Sequence, residues 1–171
     1  MKEAYVRAMD ALYLACVAVA GLCITIMTIV VPVGVFYRYV LNSALAWPEP
    51  MATIMMIFFT FLGGAACYRA GVHISVTLFV GALSGTAAKI IEYIVEMAVG
   101  ALCLFMLIWG LELVHTTMFQ TIAEFPFLPV GLTYLPVPVG GAVTLLFMIE
   151  RMWIGPPPST SFVHYEPPST N

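Results

Sequence analysis

Charge is what this sequence has least of. Six Lys and Arg and nine Asp and Glu among 171 residues leave it 9% charged, against about 25% in an ordinary soluble domain. Hydrophobic residues make up 62%, more than a soluble chain of this length can hide in its own interior. A bilayer removes the difficulty by acting as the apolar solvent. The small net charge of −3 and the scattered basic residues argue against a nucleic-acid partner, which needs clustered Lys and Arg. Metal ligands are scarce too. Cys16, Cys23, Cys67 and Cys103 lie inside apolar segments without the short spacing of a zinc site, so they read as small buried hydrophobes. His73, His115 and His164 fall at the two membrane edges and in the C-terminal tail, where no two can face each other across a haem. No nucleophile–base arrangement or phosphate loop occurs. Neither an enzyme nor a cofactor is expected.

What the sequence does have is long apolar runs. Crossing a hydrocarbon core of about 30 Å takes about 20 residues, and four stretches qualify, over about residues 11–37, 51–69, 89–115 and 131–150. Backbone polar groups cannot go unpaired in lipid, so each should be helical. The expected fold class is therefore an all-α integral membrane protein with four transmembrane helices. Its membrane domain covers residues 11–153 and follows a short N-terminal segment, 1–10. Lys2, Arg7 and Leu14-Ala15-Cys16 resemble the start of a cleaved signal, but the apolar run continues some 20 residues past Cys16. That exceeds a signal core of about 7–15 residues, so a retained helix is expected.

Orientation follows from the basic residues. With four spans, Lys2, Arg7, Arg69, Lys89 and Arg151 share one side and Arg38 stands alone on the other. The positive-inside rule puts both termini in the cytoplasm. Tyr37, Tyr39, Trp47, Tyr68, Tyr93, Trp109 and Trp153 near the expected helix ends suit an interfacial belt.

Between the second and third spans, residues 72–86 contain His73-Ile74-Ser75-Val76-Thr77-Leu78-Phe79-Val80, apolar but too short to cross. An in-plane amphipathic helix on the cytoplasmic surface is expected there. Residues 154–171 are rich in Pro, Ser and Thr, a composition that reads as a disordered tail. Pro32, Pro136 and Pro138 should kink their helices. Gly63-Gly64 and Gly140-Gly141 permit close helix approach. Glu92 and Glu96 share a face of the third helix with Lys89, and Glu112 lies sixteen residues beyond Glu96, about 24 Å further along. The two carboxylates Glu96 and Glu112 are too far apart to act as a pair.

Several short motifs occur in a telling order. Arg38-Tyr39-Val40-Leu41-Asn42 follows the first span and Trp47-Pro48-Glu49 opens the second. Phe61-Leu62-Gly63-Gly64-Ala65-Ala66 closes that span, and His73-Ile74-Ser75-Val76 follows. A Pro-x-Gly-x-x-Tyr-x-x-Pro-like stretch from Pro129 to Gly140 opens the fourth. Together these cover roughly residues 10–150, and the chain resembles the small membrane subunit (DctQ type) of tripartite ATP-independent periplasmic (TRAP) transporters. Pro50 stands where many relatives have a second acidic residue.

The resemblance implies a bacterial inner-membrane location and two protein partners, a large membrane subunit and a transient periplasmic substrate-binding protein. The large subunit would carry the sodium and organic-acid sites and move as an elevator, with the small one bracing its static part. Arg38, Trp47, Glu49 and Glu124 are then candidates for the docking face of the binding protein. His73, Gly63, Gly64, Pro136, Pro138 and Glu96 are candidates for structural or subunit contacts. Two other readings are an autonomous proton-coupled transporter using Glu96 and a membrane anchor for a redox enzyme.

Overall fold

The computed structural model describes residues 2–71 and 86–154. The expected in-plane segment with His73 and the Pro-rich tail with His164 lie, apart from their edge residues, outside this range. So do the side chains of Lys89 and Glu92.

Five helices and one small hairpin make up the described chain. Helix α1 is Lys2–Tyr39, α2 Pro48–Arg69 and α3 Thr86–Thr117; strands β1 (Thr121–Ile122) and β2 (Phe125–Pro129) follow, then α4 (Val130–Tyr134) and α5 (Pro136–Ile154). Four segments are long and apolar enough to span a membrane: Tyr5–Tyr39, Pro48–Arg69, Tyr93–Thr117 and Val130–Trp153. The protein is thus a four-span helical membrane protein. Helix α1 begins nine residues before the apolar run, at Lys2, and continues through Pro32 as one helix.

The fourth span is divided. A helix running without interruption would need the amides of residues 136 and 138, and both are proline. Pro136 and Pro138 instead occupy the first turn of a new helix, where amides have no intrahelical partner anyway. The chain breaks at Leu135, whose N–H bonds back to the Leu132 carbonyl at 3.4 Å.

The hairpin was not expected from an all-helical reading. Its cause is local. Proline restricts the residue before it to extended backbone, and Pro126 and Pro129 impose this on Phe125 and Leu128. The strands pair antiparallel, with Ile122 opposite Phe125 and Thr121 opposite Pro129, around a turn at Ala123 and Glu124.

Helices α2 and α5 form a central pair, with α1 packed on α2 and α3 packed on α5. On α1 the buried residues Met9, Cys16, Cys23 and Val30 recur every seven positions, the seam of a left-handed helix pair. Antiparallel register is fixed by Gly34 against Pro48 at one end and Ala20 against Gly63 in the middle. Gly140 lies so near α2 that a Cβ there would come within 2.9 Å of Phe61 Cβ and 3.0 Å of its carbonyl oxygen. Gly141 makes the matching approach to α3, 2.9 Å from the Cys103 carbonyl. Without hydrocarbon–water exclusion between helices, this close backbone packing is what holds them together.

Candidate functional site

Two layers of polar residues bracket the apolar bundle. The first lies where α2 ends. Arg69 projects between α1 and α5, its Nε and Nη2 donating to the two carboxylate oxygens of Glu150 at 2.8 and 2.9 Å. Nη2 also donates to Asp10 Oδ1 at 2.6 Å. The guanidinium sits over the rings of Tyr13 and Phe147, 5.5 and 5.4 Å from their centroids. Arg69 and Glu150 side chains are 4% and 3% exposed, whereas Asp10 is 56% exposed. The fork geometry of guanidinium suits a carboxylate from α5 and leaves a donor for one from α1. One arginine thereby ties three helices.

The same layer reaches α3 through Tyr68, whose hydroxyl donates to Glu96 Oε1 at 2.5 Å. Glu96 is therefore engaged by a neighbouring helix. Tyr5 adds a hydroxyl bond to the Leu146 carbonyl at 3.4 Å and an edge contact with Trp153.

The second layer lies at the opposite end of α2. Arg38 of α1 pairs with Glu49 of α2 at 2.7 Å, both side chains largely in the open. They line a cleft of about 380 Å³ with Val31, Tyr39, Leu45 and Thr53. Trp47 is the exposed residue from which α2 starts, with no side-chain cap of its own. Glu124 is exposed in the hairpin turn at this same end of the bundle. The structure brings Arg38 and Glu49 into contact and joins neither to Glu124.

Glu49 and Arg69 are twenty residues apart on one helix, a rise of about 30 Å, which matches the hydrocarbon thickness of a bilayer. The two layers are thus spaced as the two edges of a hydrocarbon layer would be.

The candidate small residues divide. Gly140 and Gly141 are consumed inside the bundle; Gly63 makes only ordinary contact with Ala20, and a side chain at Gly64 would meet nothing within 4 Å. Pro136 and Pro138 start α5, and Pro138 packs against Gly110 of α3. Near the break, the buried hydroxyl of Thr133 has no partner among the described residues.

Sequence reasoning missed the Asp10–Arg69–Glu150 cluster by counting Arg69 as a cytoplasmic charge. A usable signal existed. All three residues stand at the ends of apolar runs on the same side of the membrane, and their charges are of opposite sign.

The family described as tripartite ATP-independent periplasmic transporters, DctQ component, matches residues 27–155. A protein of Haemophilus influenzae named as a TRAP transporter small permease protein is 28% identical over 142 residues, covering 83% of this chain and 85% of its own. Arg38, Glu49, Arg69, Glu96 and Glu150 lie within the family match, and Asp10 lies before it.

Proposed function

Because this chain belongs to the DctQ-component family of tripartite ATP-independent periplasmic transporters, we propose that it is the rigid brace of such a machine. It sits in the bacterial inner membrane with both termini cytoplasmic, beside a large membrane subunit that carries the moving parts. Together they take up an organic acid, coupled to sodium and delivered by a periplasmic binding protein.

The observation that carries this reading is the Arg69 clamp. A subunit that moved its own helices to admit a solute would have to break the bidentate Arg69–Glu150 bond, in which both side chains are buried. Breaking such a pair by removing one partner typically costs about 3–5 kcal/mol. The close approaches at Gly140 and Gly141 resist sliding in the same way. Stiffness suits a subunit against which another one moves.

The outer layer supports a docking role for Arg38, Trp47, Glu49 and Glu124. The exposed Arg38–Glu49 pair contributes only about 0–1 kcal/mol to folding, so its charges are free to serve recognition. His73 in this reading seats the in-plane segment.

Affinity purification of the tagged chain from native membranes in mild detergent tests the proposal. A stoichiometric large multi-span partner is expected, together with loss of solute uptake when this chain is deleted. Recovery of the chain only with itself, from membranes that retain uptake, overturns it. Arg38→Ala and Glu49→Ala variants with unchanged uptake and unchanged membrane levels would remove the docking role while leaving the brace intact.

A further inference from the structure

Helix α3 is the least covered of the spans. Within the bundle it packs on α5 and the short α4, through a stripe that includes Cys103 and Gly110. Only 11% of its span is buried, against 22%, 22% and 39% for the others. Phe105, Ile108, Trp109 and Glu112 are all exposed on the outward side. Phe105 and Trp109 stack at 4.7 Å with ring planes 23° apart, which gives this surface a preformed aromatic plate.

Lipid accounts for most outward-facing residues but not for Glu112. Exposed threonines along the spans show how a polar group becomes compatible with lipid. Thr25, Thr28, Thr53 and Thr60 each donate to the carbonyl four residues back on their own helix. An ionised carboxylate only accepts hydrogen bonds, so the helix carbonyls offer it nothing. The Thr116 hydroxyl donates to the Glu112 backbone carbonyl at 2.9 Å, but among the described residues no side chain bonds or pairs with the Glu112 carboxylate. His115, three positions on, makes no ion pair with it within 4.0 Å.

Depth sharpens the problem. Glu96 belongs to the inner polar layer through Tyr68, and Glu112 lies sixteen residues beyond it, about 24 Å at helical rise. The hydrocarbon is about 30 Å thick, so Glu112 sits about one turn inside the outer boundary, and any tilt of α3 places it deeper. An ionisable group facing outward at such depth is costly without a partner.

Resting on the reading of this chain as a small permease subunit, we propose that this outward face of α3 is where the large membrane subunit sits. The partner supplies a basic side chain to Glu112, beside a pocket or flat apolar surface for the Phe105–Trp109 stack. Aromatic anchors, Trp above all, dominate the desolvated centre of an interface. The outward face of α1 lacks this demand, since the hydroxyls of Thr25 and Thr28 are already satisfied.

The experiment places a photoreactive residue at Phe105 or Ile108 on α3, and at Leu22 or Ile29 on the exposed face of α1, in the assembled transporter in native membranes. Adducts with the large subunit are expected from the α3 positions and not from the α1 positions. In parallel, Glu112→Gln and Trp109→Ala should each lower the large subunit recovered with the tagged chain by about tenfold or more, at unchanged membrane levels of the chain itself. Glu112→Asp should retain it. Large-subunit adducts from α1 alone, lipid adducts alone from α3, or undiminished recovery with Glu112→Gln overturns the assignment while the subunit reading stands. Absence of a large partner from the unsubstituted chain overturns both.

Discussion

Removing the carboxylate of Glu150 tests the clamp at the heart of this bundle. In Glu150→Ala, the one carboxylate left to Arg69 is Asp10, which is 56% exposed, whereas the Arg69 side chain is 4% exposed in the intact cluster. The loss is that of one partner from a buried pair, about 3–5 kcal/mol. Asp10→Ala takes away the solvent-accessible half of the cluster and should cost at most about 1 kcal/mol, as exposed ion pairs do. Replacing both charges together, as Arg69→Met with Glu150→Leu, leaves no buried charge unmatched and should recover most of the Glu150→Ala loss. Reversible unfolding of the purified chain by an SDS titration in mixed micelles, followed by circular dichroism, resolves these steps. The ordering is the test. Equal losses for Asp10→Ala and Glu150→Ala, or a double variant as unstable as the single one, would refute the claim that burial makes this pair a lock.

Other expectations follow from the packing. Gly140→Leu should destabilise by about 1–3 kcal/mol through overpacking against Phe61, since even a Cβ there meets backbone at 3.0 Å. Gly64→Ala, with nothing within 4 Å, should be neutral or slightly stabilising in the same titration. Tyr68→Phe strips Glu96 of its donor and should cost about 1–3 kcal/mol, with Glu96→Leu added to it recovering part of the loss. Thr133→Val removes a buried hydroxyl without a described partner. It should raise the SDS midpoint or leave it unchanged, and a clear drop would mean that the hydroxyl is bonded after all.

The spans were legible because a bilayer imposes one simple demand, a long run of apolar residues, and composition alone meets or fails it. Pro48-Glu49 as the start of the second helix was legible for a similar reason, since proline and acid at a helix start are local chemistry. Where the reading depended on which helices touch, it fell short. Arg69 stands 59 positions from Asp10 and 81 from Glu150, and nothing in local propensity says that one arginine serves both acids. The hairpin at Thr121–Pro129 had no place in an all-helical reading, and proline usually argues against a strand. Here the two prolines lie in the second strand of an isolated pair and help to extend it.

The separation of the two polar layers has a consequence for how the chain stands in its membrane. Helix α2 has 22 residues, about 33 Å in length, hardly more than the hydrocarbon it crosses, and it ends in an arginine held there by two other helices. It can lean very little before one charged end is drawn into lipid. Helix α1, with 38 residues and about 57 Å, has ample length to tilt or to project from the surface. A thicker bilayer would therefore be felt first by α2, at a cost of fractions of a kcal/mol for each ångström of mismatch. The shortest full span acts as a plumb line, and the orientation of everything packed around it is referred to that one helix.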